Sequence, residues 1–192
     1  MGTDGVRRGS EQVTVLVVED DPEVAALYGE WLDDYDLRVA HGGREALETL
    51  EQEPVDVVLL DRRMDGISGD EVLDAIRRRG HDCRAAMVTA VDPGFEVVDM
   101  PFDDYLTKPV SEADLRETVT GLVALEAYSD LQLELSSKRV RRSVLRGEKR
   151  RSELAASDEF ERLESEIEAL EAELAEIESA HPAYEPLFER IR

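Results

Sequence analysis

The sequence predicts an α/β fold, a doubly wound sheet of five parallel strands, followed by an α-helical hairpin with coiled-coil character. Two patterns lead to this prediction. Across residues 13–126, short runs rich in valine and leucine alternate with segments whose apolar residues recur at helical spacing. Across residues 160–177, apolar residues recur in heptads on an otherwise charged segment, which is typical of helices that pair.

The alternation in residues 13–126 assigns each strand and helix in turn. Strands are expected near residues 13–18, 36–40, 55–60, 84–88 and 103–106, and helices near residues 22–34, 43–52, 69–79 and 111–126. Right-handed crossovers between parallel strands give the sheet order 2-1-3-4-5. This order places the switch point, where such sheets bind their ligands, between the first and third strands.

Charged residues follow directly after three of the predicted strands. Glu19 and Asp20 come after the first strand. Asp61 comes after the third strand and Lys108 after the fifth. Converging carboxylates repel each other, so they favour a hard divalent cation with oxygen ligands, such as Mg²⁺. Because an ammonium group beside them suits an anionic phosphoryl group, the pattern predicts a site for both ligands.

Each of these residues has a structural interpretation when it is taken alone. Asp20 or Asp21, ahead of Pro22, suits the N-cap of the following helix as well as it suits a cation site. The functional interpretation rests on the whole set of residues in this order and not on any single member.

Four motifs carry a resemblance to the receiver domain of two-component response regulators. They are Val17-Val18-Glu19-Asp20-Asp21-Pro22, Leu59-Leu60-Asp61-Arg62-Arg63-Met64 with Gly69, Val88-Thr89-Ala90, and Tyr105-Leu106-Thr107-Lys108-Pro109. The motifs stand in family order and at nearly family spacing. The resemblance implies a flavodoxin-like fold and a phosphoprotein that receives its phosphoryl group from a sensor histidine kinase.

The resemblance also implies the metal site and the phosphoacceptor. Asp61 would become an aspartyl phosphate in a Mg²⁺-dependent reaction. Glu19, Asp20, Asp61 and the backbone carbonyl of Arg63 would hold the Mg²⁺ ion. The domain would catalyse only its own phosphorylation and dephosphorylation, so it is not expected to be an enzyme in the ordinary sense.

Three further residues match the family's phosphoryl-binding and switch positions. By resemblance, Thr89 and Lys108 would bind phosphoryl oxygens, and Tyr105 would move together with Thr89. The resemblance also implies a cis peptide bond before Pro109. Pro93, Gly94 and Pro101 interrupt the segment after the fourth strand, so the fourth helix is expected to be short or missing. This departure weakens the case for a dimer through the fourth and fifth helices.

An unbroken heptad repeat marks the second part of the chain. It predicts a helix of about twenty residues, begun by Asp158 with Glu161 three residues later. The preceding stretch offers a less regular apolar face, as if the fifth helix continued as a long rod. The repeat is formed by Phe160, Leu163, Ile167, Leu170, Leu174 and Ile177.

Opposite charges also favour contact between the heptad helix and the stretch that precedes it. Between Glu153 and Glu178 there are eleven acidic residues and one basic residue, Arg162. An antiparallel hairpin with a turn near residues 150–157 would bring them against a basic stretch. That stretch contains Lys138, Arg139, Arg141, Arg142, Arg146, Lys149, Arg150 and Arg151.

Such a tail resembles the HalX domain of haloarchaeal regulators, which are described as transcriptional regulators. The resemblance rests on Leu125-Glu126-Ala127-Tyr128 followed by the basic and acidic helices. Three functions remain open for the tail: a protein-interaction module, direct DNA binding, and a dimerising stalk. DNA binding is not favoured, because the acidic helix would cancel the basic field and concentrated salt shortens the Debye length to about 3 Å.

Composition sets the remaining expectations. The net charge of −23, with 46 acidic against 23 basic residues, indicates a halophilic source, with an ordinary acidic bacterial protein as the alternative. No apolar run reaches the ~20 residues of a membrane span, so a cytoplasmic location without membrane contact is expected. Cys83, the single cysteine, is expected to fill the core.

The predicted organisation has four parts. Residues 1–12 form a disordered N-terminus, residues 13–126 the receiver domain, residues 127–180 the helical hairpin, and residues 181–192 a C-terminal tail. A homodimer through the receiver or the hairpin is expected, and the output is expected to lie in transcription regulation. An adaptor switched by phosphorylation, without direct DNA binding, is the alternative.

Overall fold

A five-stranded parallel sheet organises the first part of the structure, a computed structural model that describes residues 12–192. Its order is β2-β1-β3-β4-β5, which confirms the predicted doubly wound topology. The predicted disorder of residues 1–12 falls outside the described residues except for Gln12. The strands are β1 (Thr14–Val18), β2 (Asp36–Ala40), β3 (Val57–Leu60), β4 (Arg84–Thr89) and β5 (Asp104–Thr107).

Helices α1 (Pro22–Trp31), α2 (Gly43–Gln52) and α3 (Gly69–Arg79) connect the first four strands. Every residue of β1 and β3 is buried, as expected for central strands covered on both faces. The described residues divide into two compact units, with the boundary between Val123 and Ala124.

Two segments are shorter than a regular alternation of strands and helices would give: the first helix and the connection between β4 and β5. Helix α1 ends at Trp31 instead of residue 34, because the next residue, Leu32, closes it as a C-cap and is itself fully buried. Between β4 and β5 the chain forms only a short 3₁₀ helix, Phe95–Asp99. This confirms the expectation that the fourth helix is short or missing.

Four further helices follow β5. They are α4 (Glu112–Glu148), α5 (Arg151–Leu154), α6 (Asp158–Ala180) and α7 (Glu185–Ile191). Helix α4 is the continuous rod that the sequence indicated. No helix within residues 12–192 combines the length and the apolar character that crossing a membrane would require.

The N-terminus of α6 corrects one detail of the sequence prediction. Ser157, and not Asp158, is the N-cap: its extended backbone lets its hydroxyl accept a hydrogen bond from the amide of Phe160 at 3.2 Å. Asp158 instead lies in the first turn, where its negative charge is favourable beside the helix dipole.

Helix α7 lies within residues 181–192, for which the sequence predicts only a C-terminal tail. Phe188 is buried and packs its ring on Tyr128, with the ring centroids 4.5 Å apart. The Tyr128 hydroxyl donates to Glu178 at 2.5 Å, and Arg192 pairs with the same carboxylate at 2.6 Å. The chain end therefore closes back onto α4 and α6, and the heptad helix is only part of this unit's core.

Candidate functional site

The sheet register places the predicted site residues on adjacent strand ends. Val18 pairs with Leu60, so the residues that follow them, Glu19 and Asp61, leave β1 and β3 side by side. The Asp61 amide donates to the Val18 carbonyl at 2.9 Å, which extends the ladder by one residue. Both acidic side chains are buried.

Lys108 lies directly between the two buried carboxylates. Its Nζ donates to Glu19 Oε2 and to Asp61 Oδ2, each at 2.6 Å. The Lys108 amide donates to the Thr89 carbonyl at 2.8 Å, so the end of β4 fixes the position of the lysine. The peptide bond between Lys108 and Pro109 is cis. The structure thus brings together three groups that are far apart in sequence.

Burial and charge act in opposite directions on these groups. Burial raises the pKa of Glu19, and its hydrogen bond to Lys108 does not fully offset this effect. Burial also opposes the charge of Lys108, but its hydrogen bonds to Asp61 and Glu19 outweigh that cost and raise the pKa of the ammonium group. Lys108 therefore stays protonated and neutralises part of the acidic cluster.

The oxygen atoms of Glu19, Asp20 and Asp61 fit a small divalent cation. One carboxylate oxygen from each residue lies within 4.8 Å of the other two. Asp20 is exposed, so a cation here would keep water ligands on that side, as Mg²⁺ usually does. This donor set is all oxygen, which suits a hard cation.

Of the two candidate N-cap residues, Asp20 and Asp21, it is Asp21 that caps α1. Its carboxylate accepts from the amides of Glu23 at 2.9 Å and Val24 at 3.3 Å, which caps α1. Asp20 takes no part in this cap. Its carboxylate is therefore not used by the helix cap and lies in the acidic cluster with Glu19 and Asp61.

A chain of hydrogen bonds connects Thr89 with Tyr105. Thr89 Oγ1 accepts from the Val91 amide at 3.3 Å, and the Val91 carbonyl accepts from the Tyr105 hydroxyl at 2.6 Å. Thr89 is fully buried at the end of β4. Val91 therefore contacts both Thr89 and Tyr105.

The two arginines after Asp61 occupy different positions. The Arg63 amide donates to Asp61 Oδ1 at 3.1 Å, which orients the carboxylate. Arg62 pairs with Asp70 at 3.0 Å and with Glu96 of the 3₁₀ helix at 3.1 Å. This link between the β3–α3 loop and the β4–β5 connection could not be predicted from the sequence, because Glu96 lies 34 residues further along the chain than Arg62.

Gly69 lets α3 pass close to the peptide of Asp61. A Cβ atom at Gly69 would lie 2.1 Å from the Asp61 carbonyl oxygen and 2.9 Å from Arg62 Cα. Both of these atoms belong to the backbone, so they cannot rotate away as the end of a side chain could. The first turn of α3 therefore tolerates only glycine here.

We expect Gly69→Ala to lower the free energy of unfolding by about 1–3 kcal/mol, the usual cost of overpacking. It should also displace the Asp61 carboxylate from Lys108. Denaturant unfolding measures the first effect. The control is Gly42→Ala, because nothing lies within 4 Å of a Cβ atom at Gly42. Equal stability of the two variants would contradict this account of the loop.

The eight predicted basic residues do not form one free patch. Four of them pair with α6: Lys138 with Glu166 at 2.9 Å, Arg139 with Glu171 at 2.8 Å, and both Arg142 and Arg146 with Glu164, at 3.3 and 2.9 Å. These contacts join α4 to α6, the basic and acidic segments whose opposite charges the sequence pattern placed together. Within the described residues, Arg141, Lys149, Arg150 and Arg151 form no ion pair.

Two known protein families match this chain, one in each of its two parts. The response regulator receiver domain matches residues 15–120, more than half of the chain, and the HalX domain matches residues 124–189. The chain belongs to the response regulator family. It carries a HalX domain after its receiver domain, which confirms the resemblance drawn from the motifs.

Relatives of this response regulator come from archaea and bacteria. A candidate transcriptional regulator of Haloferax volcanii is 52% identical over 124 residues, which cover 64% of this chain and 21% of that protein. The response regulator MprA of Mycolicibacterium vanbaalenii is 34% identical over 154 residues, or 71% of this chain and 65% of MprA. The response regulator thus spans less than two thirds of either relative.

Solved receiver domains share the fold of the receiver domain of this response regulator. The receiver domain of a LuxO-type repressor candidate from Vibrio parahaemolyticus aligns with a TM-score of 0.59 and 27% identity, over 63% of this chain and 97% of that one. The response regulator TrrA of Thermotoga maritima, solved with Mg²⁺–BeF, aligns with a TM-score of 0.52 and 33% identity, over 57% of this chain and 98% of that one.

Proposed function

We propose that this chain receives a phosphoryl group on Asp61 from a sensor histidine kinase and relays its state through the helical hairpin. The observation that supports the proposal most strongly is the position of the Asp61 carboxylate. It lies against the Lys108 ammonium group at 2.6 Å and within reach of two further carboxylates. This geometry supports a site where a nucleophile, a cation and a fixed positive charge would act together.

In the proposed reaction, a carboxylate oxygen of Asp61 attacks the phosphorus atom of a phosphohistidine on the kinase. The P–N bond breaks, an O–P bond forms, and the histidine leaves with the electron pair of the broken bond. Glu19, Asp20, Asp61 and the carbonyl of Arg63 would hold Mg²⁺. When bound, this ion supplies positive charge against the phosphoryl oxygens.

Lys108 and Arg63 prepare the carboxylate for this reaction. The Arg63 amide binds Asp61 Oδ1 while Lys108 binds Oδ2, so both oxygens are held before the donor arrives. After transfer, Lys108 would exchange its contact with Asp61 for a phosphoryl oxygen. Because its pKa is raised, it would do so as a cation at neutral pH.

Thr89 and Tyr105 would report the phosphorylated state. The Thr89 hydroxyl would leave the Val91 amide to donate to a phosphoryl oxygen, which frees the loop whose carbonyl binds Tyr105. A local charge change would in this way bias a two-state element. Water attack on phosphorus would release phosphate and restore Asp61, so no separate substrate is turned over.

For the output we favour a protein-interaction module, with an effect on transcription. Half of the basic residues that would serve DNA binding are already paired with α6, which lowers the field available to a phosphate backbone. The domain division at residues 13–126 and 127–180 and the cytoplasmic location also remain predictions.

Phosphorylation by acetyl phosphate tests the proposal without the kinase. In concentrated salt with Mg²⁺, intact-mass measurement should show the gain of one phosphoryl group per chain. Removal of the metal with EDTA should suppress this gain, because the acidic cluster then lacks its counter-charge. A mass gain that persists unchanged in EDTA would contradict the metal-dependent mechanism, and no gain in either condition would contradict phosphoryl transfer itself.

A further inference from the structure

We propose that two copies of this chain associate through an outer stripe on α4, formed by Leu133, Val140 and Val144. These side chains are 72%, 64% and 58% exposed. They are three of the six large apolar residues that are strongly exposed within the described part of the chain. The proposal concerns the hairpin alone and stands whether or not Asp61 is phosphorylated.

The spacing of the outer stripe places it on one line of the helix surface. Val140 follows Leu133 by seven residues, and Val144 follows Val140 by four, so the three side chains share one face. The opposite face of α4 already packs within the hairpin. There Leu135 is fully buried and Lys138 pairs with Glu166. The hairpin therefore cannot cover the outer stripe with its own helices.

The charges beside the outer stripe favour an antiparallel second copy. Glu134 and Arg141 lie on the same flank of the stripe, seven residues apart. Glu134 contacts Lys138 of its own helix at 3.3 Å and is still exposed, so a second copy can share its carboxylate. Arg141 forms no ion pair with any residue that the structure describes. If a twofold axis passes between residues 137 and 138, Glu134 of each copy lies at the height of Arg141 of the other, and the pair forms twice.

The same axis also fits the apolar side chains. Leu133 of one copy then lies opposite the gap between Val140 and Val144 of the other, which is knobs-into-holes packing. A parallel pair would instead direct Glu134 toward Arg139. That arginine is already bound to Glu171 at 2.8 Å, whereas Arg141 forms no ion pair within the described hairpin, so the antiparallel arrangement has the freer basic partner.

Sedimentation equilibrium of the full chain without phosphodonor tests the outer stripe. We expect a dimer whose dissociation constant rises at least tenfold in Val140→Glu. The matched control is Val98→Glu, because Val98 is 78% exposed but lies in the sheet unit. A monomeric parent chain would overturn the proposal, and so would equal dissociation constants for the two variants. Circular dichroism checks that both variants keep their helices.

Charge reversal tests the antiparallel contact at the lowest salt that keeps the chain folded, since salt screens exposed pairs. Glu134→Arg and Arg141→Glu should each weaken self-association, because each places like charges opposite each other twice. Mixing the two variants should restore the dimer as a heterodimer with two attractive pairs. Failure of the mixture to associate better than either variant alone would overturn the arrangement.

Crosslinking then measures the direction of the helices. Ser137→Cys lies beside the proposed axis and should form a disulfide with its own copy under mild oxidation. Val144→Cys should not, because the axis separates the two cysteines by about 13 residues, roughly 20 Å at 1.5 Å per residue. The native Cys83 is buried and does not compete. Equal crosslinking at both positions would indicate parallel helices and overturn the proposal.

Discussion

We expect Asp61→Asn to abolish phosphorylation of this response regulator by acetyl phosphate, with a loss on the order of 10³-fold or more on removal of the proposed nucleophile. The amide keeps the size of the side chain and can still accept from the Arg63 amide. It cannot, however, supply an anionic oxygen to the phosphorus atom. Lys108 forms ion pairs with two buried carboxylates, those of Glu19 and Asp61. The fold should survive, because the change removes only one of these two buried negative charges.

The matched control for this variant is Asp65→Asn. Asp65 lies in the same loop but is exposed, and it forms no part of the acidic cluster. It should be phosphorylated at the parental rate, as measured by intact mass over time. If Asp61→Asn gained a phosphoryl group as fast as Asp65→Asn, another residue would be the acceptor.

We expect Ile167→Asp to unfold the hairpin unit. Ile167 is 1% exposed, and Leu135 of α4 in the same unit is equally buried. The substitution removes a buried apolar side chain and introduces a carboxylate without a partner, for a combined cost of about 3–5 kcal/mol or more. Circular dichroism should show a loss of helical signal at temperatures where the parent chain is folded.

Ala169→Asp is the control for this effect, because it adds the same charge to an exposed position of α6. It should keep the helical signal. Phosphorylation at Asp61 should persist in both variants, since one hydrophobic cluster of the sheet unit is formed entirely by residues between Leu16 and Tyr105. Equal helical signals for the two variants would show that Ile167 does not hold the hairpin together.

The central features of the sheet could be predicted because they repeat locally. Continuous apolar runs identified β1 and β3, and the acidic residues after them had to meet, because parallel strands end at one edge of the sheet. The sequence also placed the paired charges of α4 and α6 correctly, since eight basic and eleven acidic residues leave a hairpin as the natural way to neutralise both.

The features that could not be predicted depend on contacts between distant residues. The bridge from Lys108 to both buried carboxylates and the link from Arg62 to Glu96 join residues that only the tertiary fold brings together. Helix α7 is too short to show a repeat, although Tyr184 and Phe188 stand four residues apart on its buried side. Its stability comes from packing, which local propensity does not record.

The most direct test of the account is to locate the phosphoryl group on the parent chain. After phosphorylation with acetyl phosphate and Mg²⁺, borohydride reduction converts an aspartyl phosphate into homoserine, and peptide mass spectrometry identifies the altered residue. The account predicts homoserine at position 61 and at no other aspartate. Homoserine at another position, or a phosphoryl group that resists reduction, would contradict the assignment of Asp61 as the acceptor.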